Sequence, residues 1–576
     1  MVSLRAVEAP LALAAGLAVL PFLTNDFVAY QVALFLIYGI ATQGVALCWG
    51  RLGFLPLGQA LFFGLGAYLF GGTLKAGQTD AGWLLLLPLA VVIPALLAYG
   101  VATLVFARSL KSGPYFSLIT LAMTMLGFLA AQQWSELTGG FNGMANVPDF
   151  PGTERYTTLY WVIACCAVAS TAGLTVLFSR PLGVLWSALA QNEDRLQLFG
   201  YATGRIKAGA YALSAALAAL AGALFSVHQG IVTPQSLGFV LSTELVIWAA
   251  VGGKSSALGA LLGAVLVGYA SAELRDQVAS WEVFVGLIFI AVVRFLPDGV
   301  AGLVRRRPEP LDGRASLPAP LAERSEDPVK LAFEEVRTAQ AGVKILDGLD
   351  LALQGPGIRS VIGPNGAGKT STFNVMTGRL PLTGGRIVLD GMGIGGMSAW
   401  RIARRGVGRK LQIPSVFPTL TVEQNLQVAL WAGRLQGVSA LRSAPHRWHS
   451  ALLDELLVHF PALERERNAP AGRLSQGHRQ ALELVMTVLP EPRLLLLDEP
   501  CAGLSPAETH HMIKVIQEAV RRIGAAALLI EHDISAVAAM GGEVFVLHQG
   551  RRLAQGPLAQ VQADPAVRAV YAGGRK

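Results

Sequence analysis

The first three hundred residues consist of long apolar runs without charges, separated by short polar stretches. A helix of about 20 apolar residues crosses the hydrocarbon core of a bilayer, and most of these runs reach that length. The pattern therefore predicts a polytopic helical bundle of about eight or nine membrane spans. The runs are 9–24, 27–50, 52–74, 81–107, 114–134, 156–179, 208–243, 255–272 and 283–293.

Three details within these runs refine the prediction. The run 9–24 has the length of a secretory signal, but further runs follow it directly, so we interpret it as a first span. Gly230 and Pro234 interrupt 208–243, which predicts one span followed by a broken or re-entrant piece. Small residues such as those in 215–223 allow close helix packing, yet they are common in membrane helices generally, so both explanations stay open.

One acidic residue, Glu244, lies in an otherwise apolar stretch, 242–248. An ionisable side chain at membrane depth is costly and is a functional candidate by default, whereas one at the interface only anchors the helix. We keep both alternatives and regard Glu244 as a candidate for a pathway through the bundle.

Composition divides the chain into two parts. The apolar fraction is 53% and the charged fraction is 15%, against about 25% charged residues in ordinary soluble domains. Charges are sparse before residue 305 and frequent after it, which predicts a membrane part, 1–304, and a soluble part, 329–576. Between them, 305–328 is rich in proline, so we expect an extended cytoplasmic linker that joins neither fold.

The net charge of +8 would suit a nucleic-acid-binding protein, but many basic residues lie beside the apolar runs. Cytoplasmic loops of membrane proteins hold Lys and Arg in this way, so we infer a lipid bilayer as partner and no nucleic acid. Arg108, Lys111, Arg205 and Lys207 would then face the cytoplasm, and 136–154, which has no Lys or Arg, would face outside.

A glycine-rich loop in the soluble part fits the pattern G-x-x-x-x-G-K-[ST]. Its glycines let backbone N–H groups approach phosphate oxygens, Lys369 supplies a positive charge, and the Thr370 hydroxyl is a ligand for Mg²⁺. A strand predicted at 358–362 precedes the loop, and a helix predicted from 372 would point its N-terminus at the phosphates. The predicted nucleotide-binding residues are Gly363, Pro364, Asn365, Gly366, Ala367, Gly368, Lys369, Thr370 and Ser371, together with Gln412.

Two further apolar runs end in side chains suited to phosphate chemistry. The run 494–497 leads into Asp498 and Glu499. We expect Asp498 to hold Mg²⁺ and Glu499 to act as the general base on the attacking water. The run 528–530 leads through Glu531 into His532, which is placed to contact the terminal phosphate.

Two loops complete the predicted site. Gln412 lies in 409–414, and we expect it to sense Mg²⁺ and the nucleotide. The second loop precedes a predicted helix, whose N-terminus offers another anion site. Its residues are Leu474, Ser475, Gln476, Gly477 and His478.

In this order, these motifs resemble the ATP-binding subunit of ABC transporters, above all those of branched-chain amino acid and amide importers. The phosphate loop resembles their Walker A loop, 494–499 their Walker B strand and 474–478 their signature loop. Gln412 and His532 correspond to the Q-loop glutamine and the switch histidine. The membrane part resembles the permease subunit of the same importers at 57–68, 115–120 and 251–253, and 246–253, 409–414 and 546–550 look closer to the urea branch.

The chain departs from this family pattern at four places. Gln476 stands where the signature usually has glycine, and His478 where it usually has glutamine. The segment 338–342 has no aromatic ring, although the family usually stacks one on adenine there. Ser505 follows the Walker B strand where many relatives have Asp or Asn.

The resemblance implies a multidomain protein, an all-α polytopic permease followed by an α/β P-loop ATPase domain with a helical subdomain. It implies ATP and Mg²⁺ as cofactors and a site in the bacterial inner membrane with the ATPase domain in the cytoplasm. Two ATPase domains would enclose two ATP molecules, each held by one subunit's phosphate loop and the other's signature loop. The implied partners are a second permease subunit, a second ATPase subunit and a periplasmic binding protein.

Three functions are compatible with these residues. The first is an importer of branched-chain amino acids or related small amides such as urea, in which the polar stretch 191–207 acts as the lever. A solvated turn is the alternative for that stretch. The second is an exporter, for which six spans with long polar extensions would be expected. The third is a nucleotide-regulated channel or scaffold without ATP turnover, against which Asp498 and Glu499 argue.

Overall fold

The computed structural model describes residues 4–77, 83–107, 114–150, 152–274, 277, 280–303, 314–319, 327–340, 342–435, 440 and 447–572. The chain divides into two compact units. The first contains 1–190 and 203–307, and the second contains 191–202 and 308–576. Residues 191–202, here called the inserted segment, therefore pack with the second unit although both of their sequence neighbours belong to the first. The predicted cytoplasmic loop with Arg108 and Lys111 lies outside the described residues.

The first unit is helical, as predicted. Among its described residues, seven stretches are long and apolar enough to cross a membrane, and two shorter apolar helices accompany them. The predicted run 52–74 gives a helix of only 17 residues, because its first residues form an irregular turn before Gln59. The helices are Leu4–Leu23, Asp26–Ala46, Gln59–Lys75, Trp83–Ala107, Pro114–Gln133, Ser135–Thr138, Leu159–Ser179, Pro181–Gln191, Thr203–Gln229, Phe239–Gly252, Ala257–Leu274 and Trp281–Phe295.

The predicted break in the run 208–243 is confirmed. The helix Thr203–Gln229 ends before Gly230, whose φ of +68° favours glycine. A short strand, Ile231–Val232, follows and pairs antiparallel with Met144–Ala145. Pro234 then opens a 3₁₀ turn, and the next helix begins at Phe239.

Glycines in the bundle differ in how closely a neighbouring helix approaches them. A Cβ on Gly222 would lie 1.8 Å from the carbonyl oxygen of Phe63, and one on Gly66 would lie 2.1 Å from that of Ala219. A Cβ on Gly209, on the same helix as Gly222, would have nothing within 4 Å. Gly222 and Gly66 are therefore required by packing, whereas Gly209 only shares the common composition of membrane helices.

The second unit contains two main sheets. One is six-stranded, with five parallel strands and an antiparallel edge strand, and the other is a four-stranded antiparallel sheet. Two of its central strands, Leu494–Asp498 and Ala526–Ile530, are buried along their whole length and are apolar except for Asp498, because both faces of the sheet are covered. In spatial order the six strands are Arg551–Pro557, Glu543–His548, Gly357–Ile362, Ala526–Ile530, Leu494–Asp498 and Val407–Lys410, and the four are Val343–Gln354, Lys330–Gln340, Gly384–Leu389 and Met392–Gly393.

A helical subdomain lies in the sequence between Val407–Lys410 and Leu494–Asp498, as predicted. Its first helix carries a capping box at Thr421, in which side chain and backbone of Thr421 and Gln424 bond reciprocally. Its helices are Val422–Trp431, Ala451–His459, Pro461–Arg465 and Gln476–Val488. The other helices of the second unit are Glu193–Leu198, Lys369–Met376, Ala399–Ala403, Pro506–Ile523, Ile534–Met540, Leu558–Ala563 and Pro565–Ala572.

The proline-rich stretch contributes a strand to this subdomain. Arg314–Ser316 pairs in parallel with Arg447–His449, with Ala315 opposite Trp448. The prediction that 305–328 joins neither fold is therefore wrong for these three residues. They contain no proline, so the N–H groups that face the partner strand are available for the ladder. The rest of the predicted linker, except 317–319 and 327–328, lies outside the described residues.

Candidate functional site

Four loops with predicted site residues follow neighbouring strands of the six-stranded sheet. The four strands run parallel to each other. Their carboxyl ends lie along one edge of the sheet, where ligands bind in open α/β folds. This edge brings together the phosphate loop, Gln412, Glu499 and His532.

The phosphate loop has the backbone that its glycines permit. Gly363, Gly366 and Gly368 have φ of +153°, +81° and +97°. A Cβ on Gly363 would lie 2.2 Å from the carbonyl oxygen of Leu547, whereas the space around Gly366 is open for 4 Å. The helix Lys369–Met376 begins within the last residues of the loop and points its N-terminus at the rest of it, which suits phosphate binding.

Lys369 lies inside this loop and is 6% exposed. Its Nζ donates hydrogen bonds to the carbonyl oxygens of Gly363 (2.7 Å) and Pro364 (3.0 Å). Burial lowers the pKa of Lys369, while the charges of Glu499 and Asp498 act in the opposite direction. The next residue, Thr370, is exposed in the first helical turn, where its hydroxyl is accessible to a metal–phosphate complex.

Asp498 ends its strand in a buried position, 1% exposed. Its Oδ2 lies 3.5 Å from the guanidinium of Arg409, while Oδ1 is buried without a hydrogen-bond partner. Burial raises the pKa of Asp498, and Arg409 opposes the shift. An unpartnered carboxylate oxygen fits a role in holding Mg²⁺. The described residues contain no cluster of three His, Cys, Asp or Glu, so Thr370 and phosphate oxygens would complete the ligand set.

Glu499 and His532 lie in contact, with Oε1 of Glu499 2.8 Å from Nε2 of His532. The backbone of Glu499 has a φ of +45°, an uncommon conformation for this residue, and its N–H donates to the carbonyl oxygen of Ile530 at 2.9 Å. The strand end therefore turns sharply at Glu499. A carboxylate held by a neighbouring histidine is suited to accept a proton from water.

The signature loop belongs to a different element. Ser475 caps the helix Gln476–Val488, because its Oγ accepts the N–H of His478 at 3.3 Å. Ser475 and Gln476 are exposed, and Gly477 and His478 are half-buried. Within the described part of the chain, none of the four forms a hydrogen bond with the phosphate loop.

Glu244 lies outside this site, in the helix Phe239–Gly252 of the first unit, and is half-buried. It is within electrostatic reach of Tyr38. The Tyr38 ring packs against Phe63 and Trp248, with centroids 5.8 Å and 5.4 Å away.

Sequence reasoning missed a group of buried charges behind the site, here called the buried ion cluster. Its side chains are at most 2% exposed. The adjacent cations Arg409 and Lys410, one residue away from Gln412, were a signal for it, because a strand that enters a core rarely carries two charges. Its residues are Arg195, Arg409, Lys410, Glu483 and Asp498. Sequence reasoning also missed Tyr571, whose hydroxyl is close enough to the Gly363 backbone to interact with it electrostatically.

Both parts of the chain match known families. Residues 27–293 match the family described as the permease component of the branched-chain amino acid transport system. Residues 346–502 match the family described as ABC transporter.

Several curated proteins are similar to the second part. The high-affinity branched-chain amino acid transport ATP-binding protein BraF of Pseudomonas aeruginosa is 36% identical over 243 residues, which are 40% of this chain and 93% of BraF. LivG of Escherichia coli, with the same description, is 36% identical over 237 residues, 40% of this chain and 93% of LivG. LptB of Escherichia coli, the ATP-binding protein of a lipopolysaccharide export system, is 30% identical over 42% of this chain and 97% of LptB.

Among solved structures, an ATP-binding cassette of an ABC transporter in its ADP conformation is 24% identical in sequence. The match covers 42% of this chain and 99% of that chain, with a TM-score of 0.36.

Proposed function

The chain belongs to the ABC transporter family of branched-chain amino acid transport systems, and on this premise we propose that it imports branched-chain amino acids or small amides such as urea. It is an ATP-hydrolysing transporter that holds the permease and ATP-binding components in one chain. One observation carries the proposal: the permease match and the similarity of the ATPase to BraF and LivG point to the same kind of transport system.

We assign the chemical roles as follows. Lys369 and the N–H groups of the phosphate loop bind and orient the phosphates. Glu499 accepts a proton from the attacking water, and His532, 2.8 Å away, keeps the Glu499 carboxylate in place. Asp498 and Thr370 would hold Mg²⁺, which when bound neutralises charge on the phosphate oxygens. Gln412 would sense Mg²⁺ and the nucleotide.

The proposed partners follow from the signature residues, which form no hydrogen bond with the phosphate loop within the described part of the chain. The signature residues Ser475 to His478 would meet the nucleotide of a second ATPase subunit, and the permease part would pair with a second permease subunit. A binding protein outside the bacterial inner membrane would deliver the substrate, and the ATPase domain would lie in the cytoplasm. The stretches 246–253, 409–414 and 546–550 favour urea or another small amide among the candidate substrates.

Two alternatives are less well supported. The exporter would have six spans with long polar extensions, whereas seven stretches of the described residues are long and apolar enough to span. LptB belongs to an export system, so the similarity of the ATPase alone does not decide the direction, and the agreement between the permease match and the ATPase relatives BraF and LivG supports import. The channel or scaffold without turnover is disfavoured by the match to the ABC transporter family and by the pair Asp498 and Glu499.

Transport in proteoliposomes tests the proposal. The full complex is reconstituted with ATP enclosed, and labelled leucine or urea is added outside with the external binding protein. We expect the label to accumulate inside only with ATP and the binding protein, and not with the Glu499→Gln variant.

A separate control tests the direction of transport. Complexes with outward-facing ATPase domains are driven by ATP added outside. If the label then accumulates inside without a binding protein, the complex is an exporter. If labelled leucine, isoleucine, valine and urea all fail to accumulate inside the proteoliposomes while ATP is hydrolysed, the proposed substrate class is wrong.

A further inference from the structure

Four polar side chains meet inside the apolar core of the first unit, and each of them is 0% exposed. The amide nitrogen of Gln59 donates to Oγ of Ser214 at 2.6 Å. Cys48 is close enough to Ser214 and to Tyr211, one turn earlier on the same helix, to interact electrostatically with both. We call Cys48, Gln59, Tyr211 and Ser214 the bundle polar cluster.

The backbone around the bundle polar cluster is close and irregular. A Cβ on Gly44 would lie 2.8 Å from both Oγ and the carbonyl oxygen of Ser214, so glycine is required for the two helices to approach here. Cys48 lies in a π-helical turn, Leu47–Arg51, and Gln59 is the first residue of its helix. Interrupted helical backbone inside a membrane bundle is typical of the places where transporters hold their solutes.

Two polar atoms of the cluster lack a hydrogen-bond partner among the residues that the structure describes. They are the amide oxygen of Gln59 and the hydroxyl of Tyr211. The amide oxygen of Gln43, which precedes Gly44 in the sequence, is likewise buried and without a partner in that part of the chain. A buried polar group without a partner costs free energy, and lipid cannot supply the missing hydrogen bond. A bound molecule with both donors and an acceptor would remove this cost.

Attachment of one helix to another explains only part of the arrangement. The hydrogen bond between Gln59 and Ser214 uses one end of the amide group and leaves the other without a partner. The ring of Tyr211 packs edge-on against Phe62 and Phe116, with centroids 5.5 Å and 5.1 Å away. A phenylalanine would fill the same space without burying a hydroxyl, so packing does not account for the Tyr211 hydroxyl.

The chemistry of the unpartnered atoms selects a small neutral amide. The carbonyl oxygen of such a solute can accept the hydroxyl of Tyr211, while its N–H groups donate to the amide oxygen of Gln59. None of the four side chains is charged at neutral pH. The ammonium and carboxylate groups of an amino acid would each need a charged or strongly polar partner once water is removed. The bundle polar cluster therefore fits urea better than leucine.

We propose that the bundle polar cluster binds a small neutral amide such as urea, with Gln59 and Tyr211 as the residues that determine specificity. The inference rests on the proposed function because it takes the helical bundle as the route of the solute. Among the solutes of the proposed function, it selects the amides.

The test uses Tyr211→Phe and Gln59→Met in the full reconstituted complex. Tyr160→Phe is the matched control, because Tyr160 is 3% exposed and its hydroxyl donates to the carbonyl oxygen of Leu17 at 2.7 Å. The maximal uptake of labelled urea and of labelled thiourea is measured with the same binding protein for every variant, so a changed ratio belongs to the permease part. The unfolding temperature with and without about 20 mM urea measures binding without transport, since urea denatures little at that concentration.

Tyr211→Phe and Gln59→Met should lower urea uptake at least about fivefold, the effect of one lost hydrogen bond, and urea should no longer raise the unfolding temperature. In Tyr211→Phe, urea uptake should fall more than thiourea uptake, because sulfur is the weaker acceptor and gains less from the hydroxyl. Without urea, Tyr211→Phe should unfold at the parent temperature or above, since it removes a buried hydroxyl that has no partner in the described chain. Tyr160→Phe should unfold at a lower temperature but keep the parent uptake and ratio.

Parent-like urea uptake in both Tyr211→Phe and Gln59→Met would overturn the inference, and so would an equal loss in Tyr160→Phe. A parent complex whose unfolding temperature urea does not raise would also overturn it, and if that complex imports leucine, the proposed function stands. If urea raises the unfolding temperature of the parent but not of Tyr211→Phe, while none of the proposed solutes accumulates inside, the proposed function alone is wrong.

Discussion

At the scale of single residues, the site depends on two side chains placed by backbone geometry. The sharp turn at Glu499 and its contact of 2.8 Å with His532 bring together two residues that follow different strands. Sequence order predicted that both lie near the phosphates, because both follow apolar runs after a phosphate loop. Sequence order did not predict the buried pair of Arg195 and Glu483, because 288 positions separate them and only the folded chain joins them.

Replacement of Glu499 tests the general base. Glu499→Gln should lower ATP turnover by about 10²- to 10⁴-fold and retain ATP binding, because the amide cannot accept the proton. Phosphate release and nucleotide binding by the full complex measure the two effects.

Glu531→Gln is the matched control. Glu531 lies next to His532, but its carboxylate accepts the N–H groups of Cys501 (3.1 Å) and His532 (3.3 Å). Its turnover should stay near the parent value. If Glu499→Gln releases phosphate at the parent rate, Glu499 is not the general base.

At the scale of helices and strands, apolar runs gave the existence of the elements but not their exact bounds. The break after Gln229 was predictable because Gly230 and Pro234 interrupt the run. The strand Arg314–Ser316 was not, because its partner, Arg447–His449, lies more than a hundred residues away. Strand pairing of short polar segments leaves no periodic signal in the sequence.

Close helix packing yields a prediction at this scale. Gly222→Val should prevent the bundle from packing, because even the Cβ would lie 1.8 Å from the carbonyl oxygen of Phe63. Gly209→Val on the same helix has open space around it and should fold like the parent. The yield of monodisperse protein after detergent extraction and its thermal unfolding measure the difference, and equal behaviour would contradict the packing argument.

At the scale of the whole molecule, composition separated a membrane part from a soluble part, and the family motifs identified both. Composition could not show that 191–202 pack with the second unit, since a unit is defined by contacts and not by order along the chain. The charged surface of that second unit also sets how it responds to acid.

Four carboxyl groups of the second unit have a pKa below the usual value. A hydrogen bond from an arginine or a serine is the main cause in each case. A lowered folded pKa adds stability above the unfolded pKa of about 4, and this stability is lost as the pH falls through the folded pKa. The carboxyl groups and their partners are Asp347 with Arg551, Glu455 with Arg522, Glu508 with Ser505, and Asp533 with Ser535.

The unfolding temperature of the second unit should therefore fall as the pH drops below about 4. Burial raises the pKa of Asp498 and Glu531, so their effect has the opposite sign and lies at higher pH. Asp347→Asn should make the unfolding temperature fall less steeply at low pH, as measured by calorimetry of the full chain. If the substitution leaves the fall in unfolding temperature unchanged, the pair of Asp347 and Arg551 does not contribute to the loss of stability in acid.

The membership of 191–202 in the second unit also affects how the ATPase can be isolated. A fragment cut at residue 329 leaves Arg195 behind, so water would enter beside Glu483 and Lys410. A synthetic peptide of 191–202 added to that fragment should bind it and raise its melting point, as in fragment complementation. The catalytic half of this transporter is thus complete only with twelve residues that the gene encodes among its membrane helices.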